Sequence, residues 1–185
     1  MAEEKDVQID ELVARVKKGD REAFSALYDE LVDSVYRYIY FKVNQDDVED
    51  LLETVFMKVW ENIHQYKKRK TSFASWVFRI AHNLVVDHYR LKKDVIELSP
   101  AIPTYEREHN PIQVTQDSLN KEVLRSGIRK LKPTYQQIVI LKFINELSNM
   151  EIAKIMNKSE GSLRVLQFRA LKELKEVLRD MGIKY

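Results

Sequence analysis

Residues Tyr66 to Ser72 set one aromatic ring beside four consecutive cations, Lys67, Lys68, Arg69 and Lys70. A ring can stack a nucleobase and cations attract phosphates, so the pairing suits a single-stranded nucleic acid. A second cluster lies near the C-terminus. Ser159, Glu160, Ser162, Arg164 and Gln167 are short or planar hydrogen-bonding side chains of the kind that read base edges. Arg164, Arg169, Lys172 and Lys175 can neutralise phosphates, and Lys158 stands just ahead of the group.

Metal and catalytic chemistry find little to work with. The chain has no cysteine, which excludes disulfides and thiolate zinc sites and fits a reducing cytoplasm. His82 and His88 are six residues apart, roughly 240° around a helix, so they cannot share a metal. No His-Glu-x-x-His, glycine-rich phosphate loop or Gly-x-Ser-x-Gly occurs. The reading is of a chain with no cofactor, no metal and no catalytic residues, and therefore not an enzyme.

The elements that must hold these clusters read as helices. From Asp20, the expected N-cap, apolar residues fall at Phe24, Leu27, Leu31, Val35 and Ile39. A second helix beginning at Asp46 or Asp47 carries Leu51, Leu52, Val55, Phe56 and Val59. Ser72 caps a third with Phe73, Trp76, Val77, Ile80, Ala81, Leu84 and Val85 on one side. Each stripe needs a partner, and three helices packed together supply one. Trp60 and Trp76 lie on or beside these stripes and read as core residues.

Between Leu147 and Leu174 the pattern changes to a short helix, a turn at Asn157-Lys158, and a longer helix. Ser148 caps the first and Ser159 the second, and Leu163, Leu166, Ala170, Leu171 and Leu174 are the expected packing stripe. This is helix-turn-helix order, which lays the start of the second helix in a major groove.

The net charge of +2 conceals four blocks. Residues 1–63 carry −8, residues 64–93 carry +7, residues 94–118 carry −4 and residues 119–185 carry +7. Two basic blocks divided by an acidic one predict two separate contacts with a polyanion. Three of the four prolines, Pro100, Pro103 and Pro111, fall in the acidic block, which reads as an extended linker. The expected architecture is all-α: a helical domain over 1–93, a linker over 94–118 and a helix-turn-helix domain over 119–185. No apolar run approaches the roughly 18 residues needed to span a bilayer, and the acidic start lacks a signal-peptide layout, so no membrane insertion is expected.

The segment LSNMEIAKIMNKSEGSLRVLQFRALKEL resembles the C-terminal DNA-binding region of sigma factors of the extracytoplasmic-function group. Leu147, Ser148, Glu151, Ile152, Ala153, Gly161, Arg169, Ala170 and Leu174 match that pattern. Val165-Leu166 stands where the pattern has Ser-Arg, so a base or phosphate contact usual in the family is missing or moved. Independently, DDVEDLLETVFMKVW (46–60) is similar to the family's polymerase-binding helix, and SFASWVFRIAHNLVVDHYR (72–90) to the helix that follows it.

The resemblance implies two small helical domains, a region 2-like bundle and a region 4-like helix-turn-helix domain. It implies an alternative sigma factor that carries core RNA polymerase to promoters and helps open them. Asp47, Asp50, Leu51, Glu53, Thr54 and Met57 would contact the β′ coiled coil of the polymerase, and the second domain its β flap. Tyr66, Lys67, Lys68, Arg69, Lys70, Ser72, Arg79, Asn83 and Arg90 would hold the minus-ten element, in which a base of the single strand is flipped out. Lys158, Ser159, Glu160, Ser162, Arg164, Gln167, Arg169 and Lys172 would read the minus-thirty-five duplex. The acidic linker would follow the RNA exit path, and an anti-sigma factor is an implied partner of a cytoplasmic protein. Two other readings compete. A free-standing helix-turn-helix regulator explains only residues 119–185, and a metal-dependent nuclease lacks the carboxylate and histidine cluster it needs.

Overall fold

The computed structural model describes residues 2–68, 71–98 and 116–183. Every regular element among them is helical. Four helices form the first unit: α1 (Ala2–Val16), α2 (Arg21–Tyr40), α3 (Val48–Asn62) and α4 (Phe73–Leu98). The second unit holds α5 (Gln116–Lys130), α6 (Pro133–Val139), α7 (Asn149–Met156) and α8 (Glu160–Asp180).

Helix α1 enlarges the three-helix expectation to four. Ile9, Val13 and Val16 are buried with Leu12 packed beside them, a spacing that gives one helical face. Gly19 turns the chain at φ +93°, and the Asp20 side chain accepts from the Ala23 backbone N–H at 3.1 Å to start α2. That bond, with one from Arg15, holds the Asp20 carboxyl below its usual range. Leu27, Leu31 and Val35 of α2 then meet Val55, Phe56 and Val59 of α3 and Phe73, Val77, Phe78, Ala81 and Val85 of α4 in one core.

Helix α4 runs to Leu98 and α5 begins at Gln116, so both ends of the expected linker are helical. Residues 99–115, the remainder of it, lie outside the described residues. The stop is clearer at Pro133, which has no N–H to donate and sits in the first turn of α6, where none is needed. Helix α6 passes directly into a π-helical turn, Ile140–Ile144, closed by Asn145 N–H to the Ile140 carbonyl at 2.9 Å.

The two units pack together. Arg125 of α5 is 5% exposed and donates to the carbonyls of Tyr40 and Val43, both at 2.9 Å. Its guanidinium also lies 3.8 Å from the centre of the Tyr40 ring. Tyr40 bonds Glu122, and Arg129 bonds Asn44 across the same seam.

Candidate nucleic-acid interface

The outer face of α3 follows from what its inner face buries. With Val48, Val55 and Val59 inward, the 100° step per residue turns Asp50, Glu53 and Met57 outward, with the half-buried Thr54 at their margin. Met57 is 60% exposed, and Asp50 and Glu53 are exposed. The Thr54 hydroxyl donates to the Asp50 carbonyl at 2.7 Å, which fixes its rotamer. Leu51 is half-buried against the core. Asp47 is turned away from this face, 2.6 Å from Lys92 Nζ and 3.4 Å from His88 Nε2 of α4. Trp60 is 41% exposed and meets Phe24 edge-on, so it is less enclosed than its place in the stripe suggested. Trp76 is half-buried and stacks on Phe73.

Helix α4 presents a polar stripe. Arg79, Asn83 and Arg90 are exposed and lie within about 40° of one another around the axis, with Ser72 at the same azimuth just before the first turn. The Ser72 hydroxyl accepts from the Ser75 backbone N–H at 3.3 Å, so the expected cap is present. It also reaches Glu151 Oε1 of α7 at 3.1 Å, and Arg79 donates to the Lys154 carbonyl at 2.7 Å. The stripe therefore faces the second unit as well as solvent.

Tyr66 corrects the sequence reading. Its side chain is 3% exposed, with the hydroxyl donating to the Thr71 carbonyl at 3.1 Å and Asp10 Oδ1 3.3 Å away. Its ring packs edge-on to Phe73 and tilted to Trp76. A ring enclosed on these sides is a core group and offers no face to a base. Lys67 and Lys68 are exposed, and Lys68 Nζ is 2.7 Å from Asp10. Arg69 and Lys70 lie outside the described residues.

In the second unit Ser148 and Glu151 form a reciprocal capping box at the start of α7. Asn157, at φ 52°, makes the left-handed turn that releases the chain, and Ser159 caps α8 by accepting from the Ser162 N–H. Lys158, Ser159, Glu160, Ser162, Arg164, Arg169 and Lys172 are all exposed. Gln167 is half-buried and donates to Asn149 Oδ1 at 2.8 Å, which ties the two helices together. Leu163, Ala170, Leu174 and Leu178 form the packed side; Leu171 is 43% exposed and falls outside it. Val165 and Phe168, absent from the sequence reading of the site, are exposed on α8. Their helical phase opposite Leu163 and Ala170 was the signal available for them.

Burial perturbs the protonation of two neighbouring bases, Lys42 and the half-buried His82. Burial pushes the Lys42 ammonium down to about 8, and its Nζ finds Gln136 at 3.4 Å. Burial, then the nearby Lys42 charge, lowers His82, so its neutral ring can accept from the Tyr38 hydroxyl at 3.2 Å. Among the described residues no group of three or more His, Cys, Asp or Glu is placed to hold a metal ion, and no helix is long and apolar enough to cross a membrane.

Comparison with known proteins separates the possible readings of this geometry. Residues 27–94 match the sigma-70 region 2 family and residues 121–174 match sigma-70 region 4. The ECF RNA polymerase sigma factor BldN of Streptomyces coelicolor is 35% identical over 92% of this chain and 66% of its own length. The chain belongs to the extracytoplasmic-function group of sigma-70 factors. The ECF sigma factor SigW of Bacillus subtilis is 29% identical over 95% of this chain and all of its own length. In fold, this sigma factor is similar to RpoE of Bartonella quintana, solved with the anti-sigma factor NepR, at a TM-score of 0.73 and 19% identity over 84% and 96% of the two chains. It is similar also to CnrH, solved with the cytosolic domain of CnrY, at a TM-score of 0.71 and 20% identity over 91% and 96%. Both region 2 and region 4 are present in order, so the chain is an alternative sigma factor and not a free-standing helix-turn-helix regulator.

Proposed function

We propose that this sigma factor binds core RNA polymerase through the outer face of α3, opens promoters with the polar stripe of α4, and reads upstream duplex with α8. The observation that carries the reading is the exposed face of α3, where Asp50, Glu53 and Thr54 surround a protruding Met57. An apolar anchor ringed by acids suits a basic, partly apolar partner surface. The β′ coiled coil of the polymerase is the partner assigned to it, and the β flap the partner of the second domain. Ser72, Arg79, Asn83 and Arg90 offer hydrogen bonds and positive charge to the minus-ten strand, with Lys67 and Lys68 adding attraction to its backbone. The relatives solved as complexes support an anti-sigma partner here too. The chain performs no chemistry of its own: it directs the polymerase that does, and it acts in the cytoplasm. The first domain closes with α4 and the second opens with α5, joined by the acidic segment between them.

Reversing charge on the anchor's rim tests this directly. The Asp50→Lys/Glu53→Lys pair should weaken core binding at least tenfold in a pull-down or titration, while circular dichroism stays at the parent's helical content. Unchanged affinity would remove α3 from the polymerase contact.

A further inference from the structure

Helix α8 carries an apolar centre and cationic edges on its outer face. Leu163, Ala170, Leu174 and Leu178 point inward. At 100° per residue the opposite side is shared by Gly161, Val165, Phe168 and Lys172. Phe168 is 71% exposed, the most exposed large apolar residue among those described, and Val165 is 51% exposed. Arg164 flanks them on one side and Arg169 on the other, both exposed. A side chain at Gly161 would meet nothing within 4 Å, so the face is open from the first turn onward. The departure at Val165-Leu166 divides between two environments. Leu166 turns inward and packs against the core, whereas Val165 faces out. A hydroxyl at position 165 could bond several kinds of base edge, but an isopropyl group can make only apolar contact. In the major groove the one apolar group on offer is the 5-methyl of thymine.

We propose that Val165 and Phe168 form a thymine-reading patch, each resting against the methyl group of a thymine while Arg164 and Arg169 hold phosphates at the groove edges. The patch rests on the assignment of α8 as the duplex-reading helix. It adds that part of the upstream specificity is carried by apolar contact at positions where hydrogen-bond patterns alone would not fix the base. The flanking cations select a polyanion as occupant over an apolar protein surface, because four cations, Arg164, Arg169, Lys172 and Lys175, border the pair.

The test uses holoenzyme assembled from the full chain and core polymerase on a promoter that it transcribes. Each thymine of the upstream duplex element is replaced in turn by deoxyuridine, which removes the methyl and leaves the hydrogen-bonding edge intact. One or two positions should lose about fourfold in affinity, the worth of one buried methyl. In Val165→Ser and Phe168→Ser variants that ratio should fall to near one at the matching position, with the salt dependence unchanged because no phosphate contact is lost. Both side chains are exposed, so circular dichroism and thermal midpoint should match the parent. If base-pair swaps in the element weaken binding but no uracil substitution does, the methyl contact is refuted and the assignment of α8 stands. If swaps throughout the element change nothing, both fall together. Loss of assembly with core enzyme in the Val165→Ser and Phe168→Ser variants, at an unaltered thymine-to-uracil ratio, would show that the patch seats a protein and overturn the proposal.

Discussion

Tyr66 stands next to four cations in sequence yet spends its ring and hydroxyl inside the first domain. Truncating a buried aromatic leaves a cavity, so Tyr66→Ala should cost about 3–5 kcal/mol in urea unfolding of the full chain. Tyr66→Phe, which removes only the hydroxyl, should cost about 1 kcal/mol. A Tyr66→Ala protein as stable as the parent would restore the ring to solvent. Neighbouring letters could not reveal this burial, because it depends on Asp10 of α1, Phe73 and Trp76 of α4 and the loop residue Thr71 converging on one ring. Lys42 is a comparable case: nothing in its local sequence marks it as buried. Its folded pKa of about 8 lies below the usual 10.5, so between those values the unfolded chain binds more protons and stability rises with pH. His82, also lowered, adds a loss of stability as pH falls below its usual 6.5. Tyr40, raised to about 12 by burial and then by Glu122, acts oppositely above pH 10, since the unfolded chain ionises first. Thermal midpoints should therefore climb from pH 8 and turn over near pH 10. Lys42→Met should be more stable than the parent at pH 7 and should flatten the rising limb; an unchanged limb would show that Lys42 is solvated.

At the scale of elements, periodicity located α2, α3, α4, α7 and α8, because each buries one face and leaves the other to solvent. The expectation that α3 exposes Asp50, Glu53, Thr54 and Met57 is met at Asp50, Glu53 and Met57, since three- and four-residue steps fix azimuth whatever the tertiary partner, while Thr54 is half-buried. The stripe was less informative for α1, where an acidic composition masks the Ile9, Leu12, Val13 and Val16 face. Gly127 shows why packing between elements escapes such reasoning. A Cβ there would lie 2.7 Å from Leu178 Cδ2, so α5 and α8 approach through the space a side chain would fill. Gly127→Ala gains about 1 kcal/mol of helix propensity but must displace a leucine branch, and the two terms nearly cancel. Gly127→Val should lose about 2 kcal/mol because the larger group cannot be accommodated. In a Leu178→Ala background the obstruction is gone, and adding Gly127→Ala should raise the denaturation midpoint. A further fall there would mean that the α5 backbone itself needs glycine.

Over the whole molecule, the two domains are joined at Arg125 and across the polar stripe of α4. Ser72 and Arg79 cannot give the same bonds to Glu151 and Lys154 and to DNA at once, so the promoter contact proposed for them would require this seam to part. Arg125→Ala removes two hydrogen bonds and the stacking on Tyr40. Energy transfer between dyes on α3 and α8 should then report longer separations than in the parent, with helical content retained; an unchanged distance distribution would place the cohesion elsewhere. Sequence alone supplied two domains and a linker but not their contact, since Arg125 looks like any helical arginine until its acceptors are known. Those acceptors are main-chain carbonyls, which every residue type possesses. Substitution at positions 40 and 43 can reshape the surroundings but cannot delete the oxygens that Arg125 grips. The two bonds from Arg125 therefore survive any substitution at positions 40 and 43 and are lost by changing a single codon in the second domain, whereas the Tyr40 ring and the Asn44 amide hold their share of the joint only while those side chains persist.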